Sequence, residues 1–138
     1  MTAQNEAQDI IEEFAFFDDW EDRYQHLIDL GRRLPEIDDI YKIEENRLRG
    51  CQSVVHFASE YSAPHLNFHA GSDAAIVQGL IAVMMRVYSG RTPDDILATP
   101  PHFLNEIGLD EHLSPTRKNG LAALVTAIMT EAQKSADA

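Results

Sequence analysis

The sequence predicts an α+β domain in which a small antiparallel three-stranded sheet packs against several helices. Three observations predict it. Apolar residues recur at helical spacing before residue 34 and again after residue 72. Between them lies a β-branched and aromatic run, Val54-Val55-His56-Phe57, followed by the alternation Leu66-Asn67-Phe68-His69. The 138 residues, undivided by any repeat, linker or low-complexity tract, suit a single domain, 1–138, with a core over about 5–133 and frayed termini.

Each element follows from local chemistry. Ile10, Ile11, Phe14 and Phe17 mark a short amphipathic helix near residues 5–17. Asp18 or Asp19 caps a second helix, whose first turn carries Glu21 and Asp22 where the helix dipole favours acids. Tyr24, Leu27, Ile28 and Leu34 form its apolar stripe, and Gly31 and Pro35 place its end near residue 33. Residues 35–46 are acidic and aperiodic and read as a surface loop. Two strands then flank the breaker Ser62-Ala63-Pro64, and a third is expected around Leu48. Because a lone hairpin is marginal, this sheet needs helices to pack against.

Ser72-Asp73 reads as the start of a helix that is apolar nearly all round (Ile76, Val77, Leu80, Ile81, Met84, Tyr88), the expected centre of the core. Thr92-Pro93-Asp94-Asp95 opens another helix with an N-cap, a proline at the first position and acids in the first turn. Ser114-Pro115 repeats the device for a C-terminal helix that turns Leu121, Leu124, Val125, Ile128 and Met129 inward and frays after Lys134.

Charge excludes several functions. The 11 Lys and Arg against 23 Asp and Glu give a net charge of −12, the wrong sign for coating nucleic acid or an anionic membrane. Residues 1–45 hold 14 acids and 4 bases (net −10), and residues 46–138 hold 9 acids and 7 bases (net −2). Such a front either keeps the protein soluble or steers it to a basic partner. The start of the chain, Met1 to Ile11, is polar and acidic rather than signal-like, and the longest apolar run, Leu80 to Met85, is far short of a spanning helix. A cytoplasmic protein is expected.

One cysteine, Cys51, rules out an intramolecular disulfide and a Cys-rich metal site. It follows Gly50, which admits a tight turn and presents the thiol at a loop tip. Arg47 and Arg49 flank it, and nearby cations lower a thiol pKa toward the nucleophilic thiolate. The competing reading is a small buried hydrophobe, the usual state of a free cysteine. Six histidines supply a conceivable base for a cysteine hydrolase, but no hydrolase signature surrounds the thiol. His56, His65 and His69 read as exposed strand and turn residues rather than zinc ligands, so no metal is expected. The pairs Asp18-Asp19, Asp38-Asp39 and Asp94-Asp95 are read as capping or solvating, and nucleotide-binding glycine motifs are absent.

Six segments in order resemble the SufE/CsdE family of sulfur-acceptor proteins. They are Trp20-Glu21-Asp22-Arg23-Tyr24, Leu30-Gly31-Arg32-Arg33-Leu34-Pro35, Gly50-Cys51-Gln52-Ser53, Ser72-Asp73-Ala74-Ala75-Ile76-Val77 with Gly79-Leu80-Ile81, Thr92-Pro93-Asp94-Asp95-Ile96, and His112-Leu113-Ser114-Pro115-Thr116-Arg117 with Gly120-Leu121. The resemblance runs to about residue 130 and is nearer SufE than CsdE. It implies a SufE/NifU-like fold and a protein that is not an enzyme in the strict sense. Such a protein receives persulfide sulfur from a cysteine desulfurase, stimulates that desulfurase, and delivers sulfur for iron–sulfur cluster assembly on a SufBCD-like scaffold. By the same match Cys51 is the acceptor that becomes the persulfide, tucked against an apolar cavity at rest. Gly50, Gln52, Ser53, Asp73 and Arg117 support the loop or touch the partner. No cofactor is bound stably, since pyridoxal phosphate belongs to the desulfurase (SufS- or CsdA-like). A homodimer stays open.

The chemistry of the residues agrees with that implication. Transpersulfidation proceeds like thiol–disulfide exchange, and one cysteine is sufficient because the second sulfur arrives on the partner. The alternatives are a stand-alone cysteine hydrolase or thiol oxidoreductase, and a scaffold that builds clusters itself. A single cysteine counts against the scaffold, which holds its cluster with several thiolates. Trp20 and Tyr24 read as core rather than contact surface.

Overall fold

In the computed structural model, which describes residues 2–137, helices α1 (Ala3–Ala15) and α2 (Trp20–Arg33) precede strands β1 (Val55–Ser62) and β2 (His65–Ser72). Helices α3 (Ala75–Tyr88), α4 (Pro93–Leu97), α5 (Phe103–Glu106), α6 (Leu109–His112) and α7 (Pro115–Asp137) follow. The most apolar stretch of the chain forms the centre. In α3, nine residues, including Leu80, Ile81, Val83, Met84 and Tyr88, are buried. Tyr88 is among the largest side chains with no exposure, and its hydroxyl donates to Thr99 O at 2.7 Å, so the polar tip is satisfied inside the core.

The other elements pack around α3. On β2, buried Leu66, Phe68 and Ala70 alternate with Asn67 and His69, so one face of the hairpin lies inward. The strands pair antiparallel from Val55–Ser72 to Ser62–His65. Helix α2 crosses α3 backbone to backbone: a Cβ on Gly79 would lie 2.2 Å from Leu27 O, and one on Gly31 would lie 2.7 Å from Gly79 N. Gly31 therefore serves the interior of α2 rather than its end, a correction to the sequence reading. Pro35 still follows the last turn, and α2 stops at Arg33. Helix α1 buries Ala3, Ala7, Ile10 and Phe14, and Arg86 of α3 grips it through Glu6 at 3.0 Å and Glu13 at 3.1 Å.

Among the described residues the sheet has two strands, not the three expected. The segment around Leu48 contributes one isolated bridge, Arg47 to His56, with Leu48 N donating to Val55 O at 2.9 Å. A 3₁₀ turn ends at Asn46 and Gly50 reverses the chain at φ +90°, so only residues 47–49 are free to extend. Residues 35–46 are not wholly irregular either, since they carry 3₁₀ turns at Asp39–Tyr41 and Glu44–Asn46.

Helix starts were mostly legible. Asp19 accepts from Asp22 N at 2.9 Å, Thr92 Oγ1 from Asp95 N at 3.2 Å, and Ser114 Oγ from Arg117 N at 3.2 Å. Ser72-Asp73 is the exception. Ser72 still pairs with Val55 in the sheet, so its hydroxyl accepts from Ala74 N, and α3 begins at Ala75 without a side-chain cap. Thr2 and Asn5 form a capping box before fully buried Ala3, and α7 spans Pro115–Asp137.

Candidate functional site

Gly50 takes the left-handed conformation, φ +90°, where a side chain would be strained, and hands the chain to Cys51 at the tip of the 49–54 loop. The Leu48–Val55 bond pins the loop's base. Beneath the tip is a cavity of about 240 Å³. Leu80 and Ile81 of α3, Val55 of β1 and Leu124 of α7 form its apolar floor, and Ser53, Ser114 and Arg117 contribute polar atoms to its lining. The half-buried Cys51 thiol donates to Gly120 O of α7 at 3.8 Å.

Electrostatics at this thiol differ from the sequence expectation. Burial pushes the Cys51 thiol above its ordinary value. Burial is the cause at work here, and the two flanking arginines both lie near Glu44, Arg47 at 3.8 Å and Arg49 at 3.5 Å. At rest the fold keeps a protonated thiol.

Of the residues singled out from sequence, the fold brings Cys51, Gln52, Ser53 and Arg117 to one cavity, with Gly50 shaping the loop above it. Among the described residues the loop is held by the thiol's bond to Gly120 and the Leu48–Val55 bond, rather than by side-chain bonds from Gln52 or Ser53. Asp73 does not join them. It is exposed and lines a separate cavity with Lys42, His56 and Gln78. Sequence reasoning gave no role to Gly120, which it quoted only as part of a segment that carries the family resemblance.

Among the described residues no histidine lines the cavity, and the sequence holds no second cysteine. His65 begins β2 instead of lying in the turn, and His69 stacks on Tyr41 at 4.2 Å. Among the described residues no three His, Cys, Asp or Glu side chains converge as metal ligands. The paired acids are structural: Asp19 caps α2, Asp38 caps a 3₁₀ turn, and Asp95 also accepts from Ala3 N at 3.1 Å. Trp20 and Tyr24 are partly buried against the core, and Trp20 stacks on His112 at 4.5 Å. Among the described residues no helix is long and apolar enough to cross a membrane.

Fold and site together define an α+β domain that carries one loop thiol over an apolar cavity. The family described as the SufE Fe-S metabolism associated domain matches residues 8–132, and the chain belongs to that family, which ties it to iron–sulfur metabolism. An uncharacterized SufE-like protein of Rhizobium meliloti (strain 1021) is 40% identical over 129 residues, covering 90% of this chain and 92% of the relative. Another, from Rhizobium etli, is 41% identical over 134 residues, covering 94% and 90%. The solution structure of a hypothetical protein from Thermus thermophilus has the same fold, with a TM-score of 0.79 at 21% identity over 96% of this chain and 97% of that one.

Proposed function

We propose that the protein is a sulfur acceptor and carrier, loaded on Cys51 by a cysteine desulfurase and discharged to an iron–sulfur scaffold. The observation that carries this reading is the position of the chain's sole cysteine, on a glycine-turned loop tip at the mouth of an apolar cavity. The loop can reach a second protein's active site, and the cavity mouth shields the thiol from oxidation between encounters.

In the transfer step the Cys51 thiol loses its proton and its sulfur attacks the terminal sulfur of the partner's persulfide. The partner's S–S bond breaks, a new S–S bond forms on Cys51, and the partner's cysteine leaves as a thiolate that takes up a proton. No net oxidation or reduction occurs. With no second thiol in the chain, nothing within it discharges the persulfide as a disulfide. A hydrolase reading lacks its base, since among the described residues no histidine lines the cavity. The protein therefore works as a transfer partner and desulfurase activator in the cytoplasm, and pyridoxal phosphate stays with the desulfurase.

Incubation with a desulfurase and free cysteine, followed by intact mass measurement, tests this. Wild type should gain sulfur, and Cys51→Ser should gain none and fail to raise desulfurase turnover. Hydrolysis of ester or peptide substrates by the protein alone would instead favour the hydrolase.

A further inference from the structure

Glycine is the poorest helix former after proline, yet Gly120 lies inside α7, in its second turn. Backbone freedom does not explain it, because the described glycines with positive φ are Gly50, Gly90 and Gly108. A helix crossing does not explain it either. At Gly31 and Gly79 a Cβ would strike the backbone of a neighbouring helix, but at Gly120 the three nearest atoms all belong to Cys51: Sγ at 3.4 Å, and Cα and Cβ at 3.9 Å. One turn along, a Cβ on Gly50 would meet Ala123 Cβ at 3.5 Å, so the loop lies flat on this small-residue side of α7.

We propose that Gly120 is a positioning residue, its bare backbone forming the resting seat of Cys51. The missing side chain lets Sγ settle against the helix, and Gly120 O receives the thiol proton in a weak S–H···O bond. The seat sets how far the thiol is withdrawn from water and keeps it protonated. A methyl group at this position only reaches ordinary contact with Sγ. A hydroxymethyl or isopropyl group extends past that contact and lifts the loop. The seat's bearing on sulfur transfer rests on the carrier reading above.

The test is the rate and pH profile of Cys51 alkylation by iodoacetamide in the isolated, full-length protein. Gly120→Ala should react close to the wild-type rate. Gly120→Ser and Gly120→Val should react severalfold faster at neutral pH, with the midpoint of the profile moved down toward that of a free thiol. Asn119→Val, on an exposed position of the same turn, controls for helix propensity and should match wild type. Circular dichroism selects the folded variants, so Gly120→Ser decides the matter where Gly120→Val does not fold. A flat series among folded variants, in rate and in midpoint, overturns the seat. Because no desulfurase is present, failure of sulfur loading would overturn the carrier reading while leaving this result standing.

Discussion

Cys51 is the residue on which the account turns, and its protonation is its most measurable property. Burial holds the thiol above its ordinary value, and Glu44 draws off the two guanidinium groups beside it. Its alkylation rate should therefore rise with pH along a curve whose midpoint lies above that of free cysteine. A midpoint at or below the free-thiol value would contradict the shielded resting state. The loop-tip position of the thiol was legible in the sequence, because Gly50 just before it admits the tight turn. The direction of its pKa was not. Arg47 and Arg49 flank it in sequence, and only the 3₁₀ turn Glu44–Asn46 reveals that Glu44 takes both. Asp73 shows that a matched position need not line the same cavity as the thiol, since it lines a different one.

At the scale of elements, two junctions around α3 carry the largest expected effects. The α2–α3 crossing leaves no room for a side chain on Gly79, where a Cβ would sit 2.2 Å from Leu27 O. Gly79→Ala should lower unfolding free energy by about 3 kcal/mol in urea titration, the upper part of the range for overpacking. The second junction is the polar clamp on α1. Burial alone would raise Glu13, but hydrogen bonds from His26 and Arg86 outweigh it and leave the carboxyl below its ordinary value. A depressed carboxylate stabilises the fold above the unfolded carboxyl range, near pH ~4.3, and that stability is lost as pH falls through the folded value. Arg86→Met should cost about 2 kcal/mol at neutral pH, because it leaves Glu6 without its guanidinium partner and Glu13 with His26 alone. It should also flatten the loss of stability on acidification, which urea titrations at several pH values will read. The caps of α2, α4 and α7 were legible because each is a contact within three residues. The third strand was not, since the brevity of residues 47–49 depends on turns at both ends.

Across the whole molecule, the acidic front is partly absorbed by the fold. Glu6 and Glu13 hold Arg86, Glu36 and Asp39 hold Lys42, and Glu44 holds Arg47 and Arg49. The site itself is a product of the tertiary fold. Cys51 meets Gly120 across 69 residues of sequence, and the cavity between them draws walls from β1, α3 and α7. No local pattern contains that arrangement, whereas the single core and the order of elements follow from periodicity and caps. The central claim is that this one thiol accepts sulfur from a partner protein. Intact mass after incubation with a cysteine desulfurase and cysteine tests it most directly. The account predicts added sulfur on wild type, removable by reductant, with Cys51→Ser unchanged. A wild-type mass that stays constant beside a desulfurase turning over cysteine would contradict it.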